Sequence, residues 1–126
     1  MTNDARSIAL AYIEACGSKD WGVVERLLAP EVRFTSPGND VSGATPYLAV
    51  LKRLGLIWLR SDVKKVFADG NEVCVVYDFV TDSPAGAVPL VEWLRIEGEQ
   101  IVSVTLFFDR LTFKPASDEL ARRATR

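Results

Sequence analysis

Two carboxylates stand inside otherwise apolar runs, and they are the first residues in this chain to suggest chemistry. Asp78 interrupts VCVVYDFVTD and Glu92 interrupts VPLVEWLRI. The intervening SPAGA is a turn by composition. If that turn centres on Ala85, Asp78 and Glu92 face each other as direct cross-strand neighbours. A carboxylate in an apolar strand is costly unless it is paired, protonated or solvated by a cavity. Two within ~4–6 Å cannot both ionise cheaply, so one holds a proton near neutral pH and the pair supplies an acid and a base. The alternative is a register shifted by one residue, which turns Asp78 to the opposite face and toward Arg33, Arg60 or Arg95.

A third group comes from the N-terminal segment. Ile8, Tyr12, Ala15 and Cys16 share one face of a helix over residues 4–16, with Asn3 as cap and Gly17 as terminator. Tyr12 is there as a core aromatic or as a phenol pointing its hydroxyl into a cavity. The chain contains no histidine, so proton transfer must use Asp, Glu, Tyr, Lys, Cys or water. No G-x-G-x-x-G, Walker A, C-x-x-C or G-x-S-x-G pattern occurs, and neither a metal nor a cofactor is expected. Cys16 and Cys74 read as small buried thiols.

These groups need elements to position them, and the pattern supplies an order. Asp20 caps a short second helix that Pro30 stops. Glu31–Ser36 alternates as a strand, and residues 37–40 read as a loop. Thr45-Pro46 opens a third helix that Gly55 ends. A long strand covers about residues 56–68, and Asp69-Gly70 turns it into the strand of Asp78. Two more strands follow, giving the order ααβα and then ββββ. The α+β domain spans residues 1–113, and residues 114–126 read as a polar C-terminal tail.

Both faces of the sheet look apolar. One carries Cys74, Val76, Val80, Leu90, Leu94 and Ile96, together with the two carboxylates. The other carries Val75, Tyr77, Phe79, Val91 and Trp93. Three helices can cover one face. The other, with Tyr77, Phe79 and Trp93, is expected to pair with a second copy of the chain. A net charge of −2 offers no footing for nucleic acid or an anionic membrane surface. No apolar run nears the ~20 residues of a membrane span, and no leader pattern precedes the first helix. The expected compartment is the cytoplasm.

The motifs YIEAC-GSKDW, LLAPEVRFTSP, VSGATPYL, VFADGNEV and a closing LFFD, in that order, resemble the nuclear transport factor 2-like superfamily and its SnoaL-like polyketide cyclase group. The resemblance covers about residues 4–113. It implies a cone-shaped half-barrel: a curved antiparallel sheet wrapped by three helices, open at one end to a small, mostly apolar organic ligand, and often a homodimer. It is similar also to ketosteroid isomerase, where a helix tyrosine and a strand carboxylic acid hold an oxyanion. Tyr12 and Glu92 match those positions. The isomerase's proton-carrying aspartate is Ser36 here, which removes the grounds for steroid isomerisation. The positions matching the catalytic groups of limonene epoxide hydrolase are Tyr77, Phe79 and Leu106, so that activity is rejected. For the acid/base of a polyketide cyclase the candidates are Asp78, Glu92 and Asp109, and of these Asp109 reads rather as a strand-end charge in a surface pair.

The expected ligand-binding residues are Phe34, Ser36, Val50 and Leu54, then Trp58 and Val76, then Leu90, Leu106 and Phe108, with Phe67 near the mouth. The expected catalytic set is Glu92 as acid or base, Tyr12 as hydrogen-bond donor and Asp78 as the partner that tunes Glu92. The expected function is binding of a small organic molecule, with cofactor-independent acid/base chemistry on a carbonyl or enol. The contrasting expectation is a non-catalytic ligand-binding or dimerisation module.

Overall fold

The structure is a computed structural model, described here for residues 4–124. The elements are α1 (Ala5–Ser18), α2 (Trp21–Leu27), β1 (Leu28–Ser36), β2 (Asn39–Ser42), α3 (Ala44–Leu54), β3 (Trp58–Asp69), β4 (Glu72–Thr81), β5 (Ala87–Glu97), β6 (Gln100–Phe107) and α4 (Arg110–Ala124). The fold is α+β, with helices followed by a curved six-stranded sheet that does not close. The strand order is β2-β1-β6-β5-β4-β3. Every neighbouring pair is antiparallel except β1 with β6.

Local chemistry explains where the elements begin and end. The Asp4 carboxylate accepts from Ser7 N at 2.8 Å and caps α1; Asn3 lies outside the described residues. Asp20 caps α2 through Val23 N. The helices lie against one face of the sheet, α1 over β3–β5 and α3 over β1. Gly55, at the end of α3, lets Trp21 come close: a methyl group there would sit 2.9 Å from the Trp21 ring. Among the described residues no helix is long and apolar enough to cross a membrane.

Several expectations change. Asn39 and Asp40, read as part of a loop, belong to the edge strand β2, paired to β1 and tied by Arg33–Asp40 at 3.0 Å. The segment read as a polar tail from residue 114 is mainly helix, because α4 runs to Ala124; residues 125–126 lie outside the description. Ala116 and Leu120 on α4 bury against Ile57, and Phe113 packs beside them. Arg123 holds the far end, donating to Leu56 O, Asp82 O and Asp82 Oδ2 at 2.6–3.0 Å. Asp109 is not in a surface ion pair. It caps α4, accepting from Leu111 N at 3.0 Å and from the Thr112 hydroxyl at 2.9 Å.

The last change decides the site. Asp78 does not pair with Glu92: its partner is Pro89, and Glu92 lies opposite Val75. The connection is centred nearer Pro84 than Ala85. Thr81 N and the Thr81 hydroxyl both donate to Gly86 O, at 2.8 and 2.7 Å, and the Ser83 hydroxyl accepts from Ala85 N. The displacement is an odd number of residues, so all of β4 turns over. Val73, Val75, Tyr77 and Phe79 are buried, whereas Cys74, Val76, Asp78 and Val80 lie on the outer face. On β5 the expected parity is the observed one: Leu90, Glu92, Leu94 and Ile96 are buried and Trp93 is exposed.

Candidate functional site

Between the helices and the inner face of the sheet lies a cavity of about 620 Å³. Its deep end is a cluster of hydroxyls around one carboxyl. Glu92 is 3% exposed on β5. Tyr77, on β4 and one diagonal step away, donates its hydroxyl to Glu92 Oε1 at 2.7 Å. Tyr12 from α1 and Tyr47 from α3 share a short hydroxyl–hydroxyl hydrogen bond. Each is 1% exposed, and each borders the cavity. Tyr47 is braced by stacking on Phe34, with ring centroids 4.6 Å apart. These are the chain's only tyrosines.

Burial sets the electrostatics of the cluster. Removal from water raises the Glu92 carboxyl from an ordinary 4.5 to about 7, and the Tyr77 hydrogen bond holds it from rising further. Burial also pushes all three phenols well above their usual value, and a charge on Glu92 adds to each shift. The buried Cys16 thiol is raised for the same two reasons. The phenols therefore stay protonated donors near neutral pH, while Glu92 is poised between acid and base. Among the described residues no group of histidine, cysteine, aspartate or glutamate side chains converges as a metal site.

The walls are aromatic. Trp58 meets Phe79 edge-on at 4.8 Å, and Phe108 packs against Phe113 at 5.0 Å. Of the expected ligand-binding residues, Phe34, Ser36, Val50, Leu54, Trp58, Leu90, Leu106 and Phe108 border the cavity. Val76 does not, because the β4 inversion puts it on the outer face beside Lys65 of β3. Phe67 is on that face too and is 59% exposed. Asp78 leaves the site for the same reason and sits 3.6 Å from Lys64 in a surface ion pair. Tyr77 and Phe79, expected on the outer face, line the cavity instead.

Tyr47 and Tyr77 are the functional groups that the strand and helix patterns missed as such. The available signal was their type. Each is a phenol at a core position, and a buried phenol needs a hydrogen-bond partner. The roof of the cavity comes from α4, including Phe113 and Leu120, and its rim carries Arg53, Arg110, Lys114 and Asp118.

Comparison with known proteins agrees with this architecture. The SnoaL-like domain family model matches residues 9–104. A search of the curated proteins finds no match. Among solved structures, an NTF2-like protein of unknown function from Cytophaga hutchinsonii superposes with a TM-score of 0.79, at 20% identity over 90% of this chain and 97% of that one. A Kribbella flavida protein proposed to be a ketosteroid isomerase gives 0.73, at 22% identity over 83% and 77%. A Pseudomonas putida protein proposed to be a polyketide cyclase gives 0.72, at 17% identity over 89% and 96%. At these identities the likeness is one of fold.

Proposed function

The chain belongs to the SnoaL-like family, and from that premise we propose that its cavity binds a small, ring-bearing organic carbonyl compound and moves a proton on it without a cofactor. The observation that carries this reading is the buried Glu92–Tyr77 pair, a carboxyl poised near neutrality at the end of an aromatic cavity. The tuning role expected of Asp78 passes to Tyr77.

The chemistry follows from the positions. A substrate carbonyl oxygen at the Tyr12–Tyr47 pair receives a hydroxyl hydrogen bond, which strengthens as negative charge develops there. Ionised Glu92 removes a proton from the adjacent carbon, forming the enolate and a protonated Glu92. Return of that proton to a different carbon completes an isomerisation, and attack by the enolate carbon on a second carbonyl, with the proton on Glu92 passing to the alkoxide so formed, completes a cyclisation. With Ser36 in place of a second carboxylate, Glu92 serves as both base and acid. The test is carboxyl-carbon NMR of Glu92. A midpoint near 7 is expected; a midpoint at the ordinary glutamate value means that the group faces water and overturns the reading.

Assembly belongs to the same proposal, with corrected residues. Phe67 of β3, Cys74 of β4 and Trp93 of β5 form a row across the outer face. Phe67 is 59% exposed and Trp93 43%, with the exposed Phe107 nearby on β6. An apolar strip across adjacent strands is an interface by its chemistry, and a second copy of the chain, meeting it about a two-fold axis, covers both strips at once. Sedimentation is expected to show a dimer at micromolar concentration. Trp93→Asp, which puts a charge in the centre of the strip, is expected to give monomer. Wild-type chain that sediments only as monomer removes the interface.

A further inference from the structure

The rim of the cavity is biased toward positive charge. The whole chain carries a net −2, yet the rim presents Arg53, Arg110 and Lys114 against the single carboxylate of Asp118. Lys114 and Asp118 neutralise each other at 3.0 Å. Four other guanidiniums are matched in the same way, Arg33 to Asp40, Arg60 to Asp62, Arg95 to Glu97 and Arg123 to Glu119, while Arg6 and Arg26, away from the cavity, are in no ion pair among the described residues. Arg53 and Arg110 have no ion-pair partner among the described residues. They come from different elements, the last turn of α3 and the first residue of α4, and both line the cavity. The Arg110 guanidinium rests against Gly38 in the β1–β2 turn, where φ is +80° and a methyl group would lie 3.4 Å from its central carbon. The positive φ calls for glycine at that position, and the guanidinium lies in contact range of it.

We propose that the ligand is a flat, ring-bearing organic acid, whose carboxylate is held by Arg53 and Arg110 at the mouth while its carbonyl or enol oxygen reaches the tyrosines and Glu92. This names the substrate class of the cavity and rests on the function proposed above. The two ends of the cavity divide the work. The deep end carries neutral phenols and a carboxyl that is ionised only in part near neutral pH, and it favours an uncharged oxygen function. The walls are aromatic and fit a ring system. The mouth offers planar, permanently charged guanidiniums, the side chain best matched to a carboxylate. A neutral ligand of the same shape would leave both guanidiniums without a partner. An acid bound in the reverse direction would set its charge beside Glu92.

The test uses two probes that differ by one group, 6-hydroxy-2-naphthoate and 2-naphthol, titrated against the full chain by calorimetry at neutral pH and low salt. The naphthoate is expected to bind at least about tenfold more tightly than the naphthol, with an affinity that falls as salt rises. Arg53→Gln combined with Arg110→Gln is expected to remove that advantage while leaving 2-naphthol within about twofold of wild type. Retained naphthol binding shows that the variant is folded. The corresponding double Lys variant keeps the charge without the fork and is expected to recover only part of the advantage. If 2-naphthol binds and the carboxylate adds nothing, or if the double Gln variant weakens both probes equally, the acid assignment is overturned and the cavity reading stands. If neither probe binds the wild-type chain, both are overturned.

Discussion

Glu92→Gln is expected to lower the rate of proton exchange on a bound ketone by about 10²–10⁴-fold, the span that a positioned general base contributes. The substitution keeps the shape of the side chain and an oxygen that can accept from Tyr77, so the cavity and its hydrogen bond persist. Only the ability to take and release a proton goes. A suitable probe is 2-tetralone deuterated next to its carbonyl, an apolar bicycle of the class proposed for the cavity, with loss of deuterium followed by proton NMR. Ligand affinity is expected to stay within about tenfold, roughly 1.4 kcal/mol. The pH–rate profile of the wild-type chain should rise through about 7 as Glu92 ionises. Exchange that is accelerated equally by wild type and Glu92→Gln places the base elsewhere. Tyr77→Phe sharpens the same experiment. It removes the one hydrogen bond that holds the Glu92 pKa down, so the profile should move to higher pH.

The second large effect is on stability. The Glu92 carboxyl rises from 4.5 to about 7 on folding, so between those values the folded chain binds a proton that the unfolded chain has released. The corresponding stabilisation is complete below about 4.5 and disappears as pH rises through about 7. At 1.36 kcal/mol per pH unit the swing is roughly 3 kcal/mol. Glu92→Gln carries no such proton. Its stability relative to wild type should therefore increase by roughly 3 kcal/mol between about pH 4 and pH 9, measured by urea unfolding at several pH values. Comparing the two chains cancels the opposite contributions of Asp4 and Glu119, whose carboxyls are held below their usual range. A difference that stays constant across the range would mean that Glu92 has an ordinary pKa in the folded chain.

The element order was legible because the chain punctuates itself chemically. Asp20 marks the start of the short second helix and Asp69-Gly70 the β3–β4 hairpin, whereas Pro30, expected to stop that helix, lies within β1, the helix having ended at Leu27. Glu92 was legible for a different reason: Leu90, Leu94 and Ile96 share its parity, and one strand suffices to establish that. The parity of β4 was hidden because both its faces are largely apolar, so alternation could not say which one turns inward. What settles it is side-chain chemistry in the connection, where the Thr81 and Ser83 hydroxyls hold the turn off-centre. A single unseen hydrogen-bonded turn thus exchanged Asp78 for Tyr77 in the site. Helix α4 was hidden by composition. Its buried stripe consists of Ala116 and Leu120, with Phe113 half-buried, among charged residues, and Pro115 lies inside it. Burial against Ile57 and the cap from Asp109 outweigh those local signals.

The cavity is assembled from two parts with separate origins in the chain. The groups suited to proton transfer lie on α1, α3, β4 and β5, woven into the central core, where a change at Tyr47 or Tyr77 disturbs packing as well as chemistry. Much of the roof and rim belongs to the fifteen residues of α4, which rests on a small separate cluster and on the contacts of Arg123. Substitutions on the cavity side of that helix can change the size and charge of an admitted molecule without touching the proton-transfer residues. On the proposed reading, the molecule admitted can be retuned while the groups at the deep end stay unchanged, and an engineer seeking a new ligand has a short, contiguous segment to diversify.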